Sequence, residues 1–76
     1  MSQLPVLSGK EIVRLLKSIG FTEVSCKGSH VKLKGFRAGE KRIVIVPLHG
    51  ELAFGTLRSI LRQAGLTVKE LGDLLK

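Results

Sequence analysis

One histidine in this sequence has neighbours that suit chemistry on a phosphate. His30 ends the stretch CKGSH, and three lysines lie close to it along the chain: Lys27, Lys32 and Lys34. An imidazole can accept or donate a proton near neutral pH. RNA cleavage needs such a group, because the 2′-hydroxyl attacks the adjacent phosphorus while one group removes its proton and another protonates the leaving oxygen. Cations offset the charge that develops on the phosphorane. The stretch therefore predicts His30 as a general acid or base, with lysines that hold phosphate.

The histidines and the cysteine also allow simpler interpretations than catalysis. A lone histidine in a small domain is most often a surface residue without a special role, and this interpretation applies more strongly to His49, which lies in a predicted turn. His49 is still a candidate for the second acid–base group, and a lysine or a water molecule could serve instead. With a single cysteine, Cys26, and no paired carboxylates, the two histidines supply too few ligands for a metal site. The sequence predicts a reaction without a metal or another cofactor.

The composition indicates one basic globular domain over residues 1–76. Thirteen Lys and Arg against six Asp and Glu give a formal net charge of +7, which favours a polyanionic partner such as nucleic acid or an acidic protein over an anionic membrane. The longest apolar run, Ile43 to Val46, is far too short to cross a bilayer. Together with the single cysteine, this predicts a cytoplasmic protein without membrane association, in which Cys26 is a small buried residue.

A helix and a hairpin are predicted to position His30. Ser8 and Glu11 form a capping box at the start of an amphipathic pattern, so the first helix is expected over Ser8–Ile19, with Gly20 ending it. Two alternating segments, TEVSCK and HVKLK, then flank a glycine-first loop at Gly28 and Ser29, which is typical of a type II′ hairpin turn.

The register of this hairpin follows from its turn, because cross-strand partners count outward from the loop. The predicted pairs are Lys27 with His30, Cys26 with Val31, Ser25 with Lys32, Val24 with Leu33, and Glu23 with Lys34. The face toward the core is predicted to carry Val24, Cys26, Val31 and Leu33. The opposite face is predicted to carry Ser25, Lys27, His30, Lys32 and Lys34. His30 is therefore expected on a polar, basic surface.

The rest of the chain completes an α+β pattern. GFRAGE, at 35–40, predicts a loop, and KRIVIV, at 41–46, predicts a third strand, central or well covered, that Pro47 ends. A second helix is expected around Leu57–Ala64 and a short third helix from the capping box of Thr67 and Glu70. The predicted fold is a three-stranded antiparallel sheet with two helices on one face, in the α-β-β-β-α order of the double-stranded-RNA-binding fold.

The second helix offers further candidate phosphate contacts. Arg58 and Arg62 lie opposite its apolar positions, where they either bind phosphate or merely solvate the helix surface. Backbone N–H groups near Gly55 and Thr56 are also suited to phosphate. With three phenylalanines and no tyrosine or tryptophan, base stacking on the sheet is not expected.

Three stretches in this order resemble the HicA family of bacterial mRNA interferase toxins. They are LSGKEIVRLLKSIGF, KGSHVKLKG and IVIVPLHGELAFGTLRSILRQAGLT, which together cover nearly the whole chain. The resemblance implies a double-stranded-RNA-binding-like fold, ribonuclease activity on mRNA and neutralisation by a cognate HicB antitoxin. The family's catalytic histidine, in a Gly-Ser-His motif, corresponds to His30. Members often have an aromatic residue shortly after that histidine, where this chain has Val31, Lys32 and Leu33.

The leading hypothesis is therefore a toxin that cleaves mRNA as a metal-independent endoribonuclease, with His30 as general acid or base. The expected contacts to RNA or phosphate are Lys27, Ser29, Lys32, Lys34, Arg58 and Arg62. HicB is expected to cover the His30 face and exclude RNA. A non-catalytic RNA-binding module is the main alternative, and a protein-interaction domain without a role on RNA is the third.

Overall fold

Three helices and one antiparallel sheet make up the structure, a computed structural model that describes residues 4–76. The predicted domain begins at residue 1, and its first three residues lie outside the described part. The elements are α1 (Gly9–Ser18), β1 (Thr22–Lys27), β2 (His30–Arg37), β3 (Glu40–Pro47), α2 (Phe54–Ala64) and α3 (Val68–Leu74). This order confirms the predicted α+β fold with an open three-stranded sheet.

Helix α1 begins at the predicted capping box. The Ser8 hydroxyl accepts a hydrogen bond from the backbone N–H of Glu11 at 3.1 Å, and the Glu11 carboxylate accepts one from the Ser8 N–H at 2.8 Å. The bond from the Ser8 N–H lowers the pKa of the Glu11 carboxyl below its usual value. Gly20 follows the helix with a φ of 104°, as expected for a residue that ends a helix. The predicted helix is confirmed to within a residue at each end.

The β1–β2 hairpin keeps the predicted register only near its turn. Lys27 pairs with His30, Cys26 with Val31 and Ser25 with Lys32, and Gly28 has a φ of 60°. Beyond Ser25 the predicted pairing is wrong, because a bulge pairs Glu23 with Leu33 and Thr22 with Lys34. Val24 was predicted on the core face, but it is 51% exposed.

Cys26 is exposed, which contradicts its prediction as a buried residue. It pairs with buried Val31 as predicted and lines a groove beside Val13 of α1. However, β1 is an edge strand, and all six of its residues remain exposed. Helix α1 lies near both β1 and β3 but leaves the residues of β1 exposed.

The second hairpin is longer than predicted. Gly35 and Phe36 were expected in a loop, but both continue β2, and the turn consists of Ala38 and Gly39 alone. Both turn residues have positive φ, 55° and 77°, as a type I′ turn requires. Gly35 belongs in the strand because the ring of Phe21 packs on it: a Cβ at Gly35 would lie 2.7 Å from that ring.

Strand β3 lies at an edge, so the prediction of a central or well-covered strand is wrong. The sheet order is β1-β2-β3, and β2 is the central strand. Val44 and Val46 are fully buried, whereas Ile43 and Ile45 alternate with them and remain 47% and 40% exposed. The apolar run therefore places valines on the buried face of the sheet and isoleucines on the opposite face. Its free edge is partly covered by Gln63, whose side-chain oxygen accepts a hydrogen bond from the Ile45 N–H at 2.9 Å.

One core fills the space between the sheet and the helices. It includes fully buried side chains from α1, β2, β3, α2 and α3, among them Ile12, Leu16, Leu33, Val44, Leu57, Ile60 and Leu71.

Gly65 ends α2 in the left-handed conformation, and the predicted third helix is confirmed by the capping box at Thr67. The bond from the Thr67 N–H lowers the pKa of the Glu70 carboxyl, and Arg37 pairs with that carboxylate at 2.9 Å. The outer face of the sheet is defined here as the face that bears no helix.

The Ala38→Asn variant is expected to be more stable than the wild type by about 0.5–1 kcal/mol. Ala38 is exposed and adopts positive φ, which is strained for alanine, whereas Asn-Gly is the favoured pair in a type I′ turn. Urea unfolding followed by circular dichroism measures the difference. Ala38→Val is the control and should destabilise, because a β-branched residue tolerates positive φ poorly. An Asn variant that unfolds at a lower urea concentration than the wild type contradicts the prediction.

Candidate functional site

The outer face of the sheet brings His30 together with the predicted lysines. His30, Lys32 and Lys34 alternate along β2 with buried Val31 and Leu33, so all three project from the outer face and are exposed. Lys27 lies directly opposite His30 on β1, and Ser25 lies opposite Lys32. The hairpin thus arranges one imidazole and three ammonium groups on one open surface.

The charges of these lysines are not neutralised by neighbouring acids. Within residues 4–76, the salt bridges involve Lys17 with Glu23 at 3.3 Å, Arg37 with Glu70 at 2.9 Å, and Lys76 with Asp73 at 3.6 Å. Lys27, Lys32 and Lys34 take part in none of these bridges. Their positive field is therefore available to an anion that approaches the outer face.

Apolar side chains that the sequence did not indicate as functional lie on the same face. Ile45 is paired with Lys32 and Ile43 with Lys34, and Phe36, 70% exposed, is paired with Lys41. Because all four residues of the run IVIV are apolar, the sequence did not show the alternation between buried valines and exposed isoleucines. The outer face is thus a mixed surface in which apolar groups lie beside lysines, and exposed apolar patches rimmed by polar residues mark interaction sites.

Arg58 and Arg62 lie on a different surface from His30. Helix α2 packs on the inner side of the sheet through Leu57 and Ile60, and its arginines line a separate cavity of about 260 Å³. The Arg58 guanidinium also lies 5.8 Å from the centre of the Phe54 ring, in cation–π contact. The two arginines are therefore not part of the cluster around His30.

The loop after β3 approaches the turn that precedes His30. Pro47 pairs with His30 across the sheet, and the Leu48 N–H donates a hydrogen bond to the Ser29 carbonyl oxygen at 2.6 Å. The His49 carbonyl oxygen accepts a hydrogen bond from the Gly9 N–H at 2.9 Å, while its side chain is exposed. Both histidines therefore lie at the same end of the sheet.

In residues 4–76, no group of three or more His, Cys, Asp or Glu side chains is arranged to hold a metal ion. The same part of the chain contains no helix that is long and apolar enough to span a membrane.

Comparison with known families decides the family of this chain. The model of the HicA toxin of bacterial toxin–antitoxin systems matches residues 9–66. The chain belongs to the HicA toxin family. No curated protein matches the sequence. The match to the HicA family begins at Gly9 in α1 and ends at Leu66 after α2, so it includes His30 and the whole sheet. Membership makes this HicA protein the toxin of a toxin–antitoxin system and implies a cognate antitoxin as its partner.

Proposed function

We propose that this HicA toxin is a metal-independent endoribonuclease that blocks translation by cutting mRNA, with His30 as general acid or base. The observation that carries the proposal is the outer face, where an exposed imidazole lies near three lysines that form no salt bridge within residues 4–76. This combination supplies a proton-transfer group and an electrostatic site for phosphate on one surface.

The proposed reaction needs only the RNA and side chains. The 2′-oxygen loses its proton and bonds to the adjacent phosphorus, while the bond from phosphorus to the 5′-oxygen breaks and that oxygen gains a proton. The products are a 2′,3′-cyclic phosphate and a 5′-hydroxyl. Lys27, Lys32 and Lys34 stabilise the added negative charge on the phosphorane, and the exposed hydroxyl of Ser29 is placed to donate a hydrogen bond to a phosphate oxygen.

Incubation of purified wild-type protein with mRNA in the presence of EDTA tests this function. We expect internal cleavage with 2′,3′-cyclic phosphate ends, and no cleavage at a site where the 2′-hydroxyl is replaced by hydrogen. RNA that is bound but never shortened supports the alternative of a non-catalytic RNA-binding module. Affinity that is absent or does not change with salt supports an interaction domain without a role on RNA.

We further propose that the antitoxin, a HicB protein, covers the outer face and excludes RNA by occlusion. The lysines attract acidic groups of a partner, and the half-exposed Ile43 and Ile45 offer apolar area that a folded protein surface buries better than RNA phosphates do. Docking on this face places the antitoxin over His30. Association also stabilises a small core by mass action.

Charge reversal on the outer face is expected to slow antitoxin binding. Lys32→Glu and Lys34→Glu should each lower the association rate by about 3- to 10-fold at low salt, and by less as salt screens the field. Stopped-flow mixing with the antitoxin at several salt concentrations measures this rate. Lys69→Glu, an equal charge change on exposed α3, is the matched control. Equal rates for the three variants would place the antitoxin elsewhere.

A further inference from the structure

We infer that His49 is the second proton-transfer group of the reaction, an assignment that rests on the proposed ribonuclease function. Cleavage moves two protons, one from the 2′-oxygen and one to the 5′-oxygen, and His30 is a single imidazole. A group that transfers the other proton must lie near His30, be open to the substrate and have a fixed position.

The backbone around His49 is held at three points although it lies outside helices and strands. The Leu48 N–H bonds to the Ser29 carbonyl oxygen at 2.6 Å, the Gly9 N–H bonds to the His49 carbonyl oxygen at 2.9 Å, and the Leu52 N–H bonds to the Leu7 carbonyl oxygen at 2.8 Å. These bonds tie the segment to the β1–β2 turn, to the start of α1 and to the residues just before α1. Hydrogen bonds of this kind fix the backbone of the loop and so pre-organise the residue that it carries.

The same contacts bring His49 to the end of the sheet where His30 lies. Leu48 packs against the core and lines the groove next to Val31 on the inner side. His49 is the next residue and is exposed, so its side chain is open to a substrate. Since Pro47 pairs with His30, His49 lies two residues further along the chain. One cross-strand spacing and two extended residues bring the two histidine Cα atoms within about 13 Å of each other, a separation that two imidazole side chains and a phosphodiester between them can span.

The other neighbours of His30 are less suited to this role. Lys27 and Lys32 present ammonium groups, which can donate a proton but have no lone pair to accept one while they are charged, so neither can act as the base. Glu51, an exposed carboxylate two residues after His49, is a competitor on the same loop. It therefore serves as the control that distinguishes one specific side chain from any titratable group on this loop.

The test compares His49→Ala and Glu51→Gln on two substrates. The first is an RNA oligonucleotide that contains a site cut by the wild type, and the second carries sulfur in place of the 5′-bridging oxygen at that site. A thiolate leaves without being protonated, so the second substrate needs no general acid. Both side chains are exposed, and circular dichroism checks that each variant is folded.

His49→Ala should lower kcat/KM on the normal oligonucleotide by about 10²- to 10⁴-fold, and Glu51→Gln should change it less than about threefold. If the sulfur substrate restores the rate of His49→Ala, the residue is the general acid; if the loss persists, it is the general base. A rate within about fivefold of wild type for His49→Ala, or an equal loss for Glu51→Gln, overturns the assignment while the ribonuclease function stands. No cleavage by the wild type overturns that function and the assignment with it.

Discussion

Cleavage of RNA by the His30→Ala variant is expected to be about 10²- to 10⁴-fold slower than by the wild type, while its affinity for RNA stays nearly unchanged. The imidazole is exposed, so its removal opens no cavity in the core. The proposed binding site is distributed over Lys27, Lys32 and Lys34, and the substitution removes none of these three charges. Single-turnover cleavage and filter binding, measured on the same RNA, separate the two quantities.

Lysine variants provide the matched comparison for this experiment. Lys32→Ala and Lys34→Ala should weaken binding and reduce the slope of log affinity against log salt by about 0.7 each for single-stranded RNA. Induction in a bacterial host extends the test: the wild type should arrest growth and shorten mRNA, and His30→Ala should do neither. Arrest and mRNA shortening by both proteins alike would exclude His30 from catalysis.

The Gly9→Ala variant is expected to lose about 2–4 kcal/mol of stability, the largest effect on stability predicted for this chain. A Cβ at Gly9 would overlap the carbonyl oxygen of Pro47 and lie 2.8 Å from the Cα of Leu48. Helix α1 must then move away from the loop, and the hydrogen bond from the Gly9 N–H to the His49 carbonyl oxygen is lost. Urea unfolding measures the loss, and cleavage by the folded fraction should also fall because His49 is displaced.

Gly72→Ala is the control for this substitution. Gly72 lies within α3, and a Cβ there would meet no atom within 4 Å, so alanine should stabilise the helix by about 0.5–1 kcal/mol. If Gly9→Ala unfolds at the same urea concentration as the wild type, the close contact between α1 and the loop after β3 is not required for the fold.

Several features of this toxin follow from the sequence because their causes are local. The start of α1 is determined by a four-residue capping box from Ser8 to Glu11, and the start of α3 by one from Thr67 to Glu70. The glycine-first loop at Gly28 sets the pairing of Lys27 with His30. Alternation along β2 then places the lysines beside His30, so the candidate site was predictable from one hairpin.

Other features depend on contacts between distant parts of the chain, and the sequence did not indicate them. Gly35 looked like a loop residue, because only the packing of Phe21 explains a glycine inside β2. The run IVIV looked like a buried strand, because nothing local reveals that β3 lies at an edge with one helix-free face. The bulge that exposes Val24 was likewise not predicted, because counting cross-strand partners outward from the turn assumes a regular pairing.

The two histidines show the same division between local and tertiary causes. The lysines near His30 were evident from the sequence, since they lie within a few residues of it along one hairpin. His49 looked like an ordinary turn residue, because the groups that hold its segment come from Leu7, Gly9 and Ser29, far from it in sequence. The tertiary structure alone brings that loop to the end of the sheet where His30 lies, because backbone hydrogen bonds between distant segments form only when the helix and the sheet have packed together.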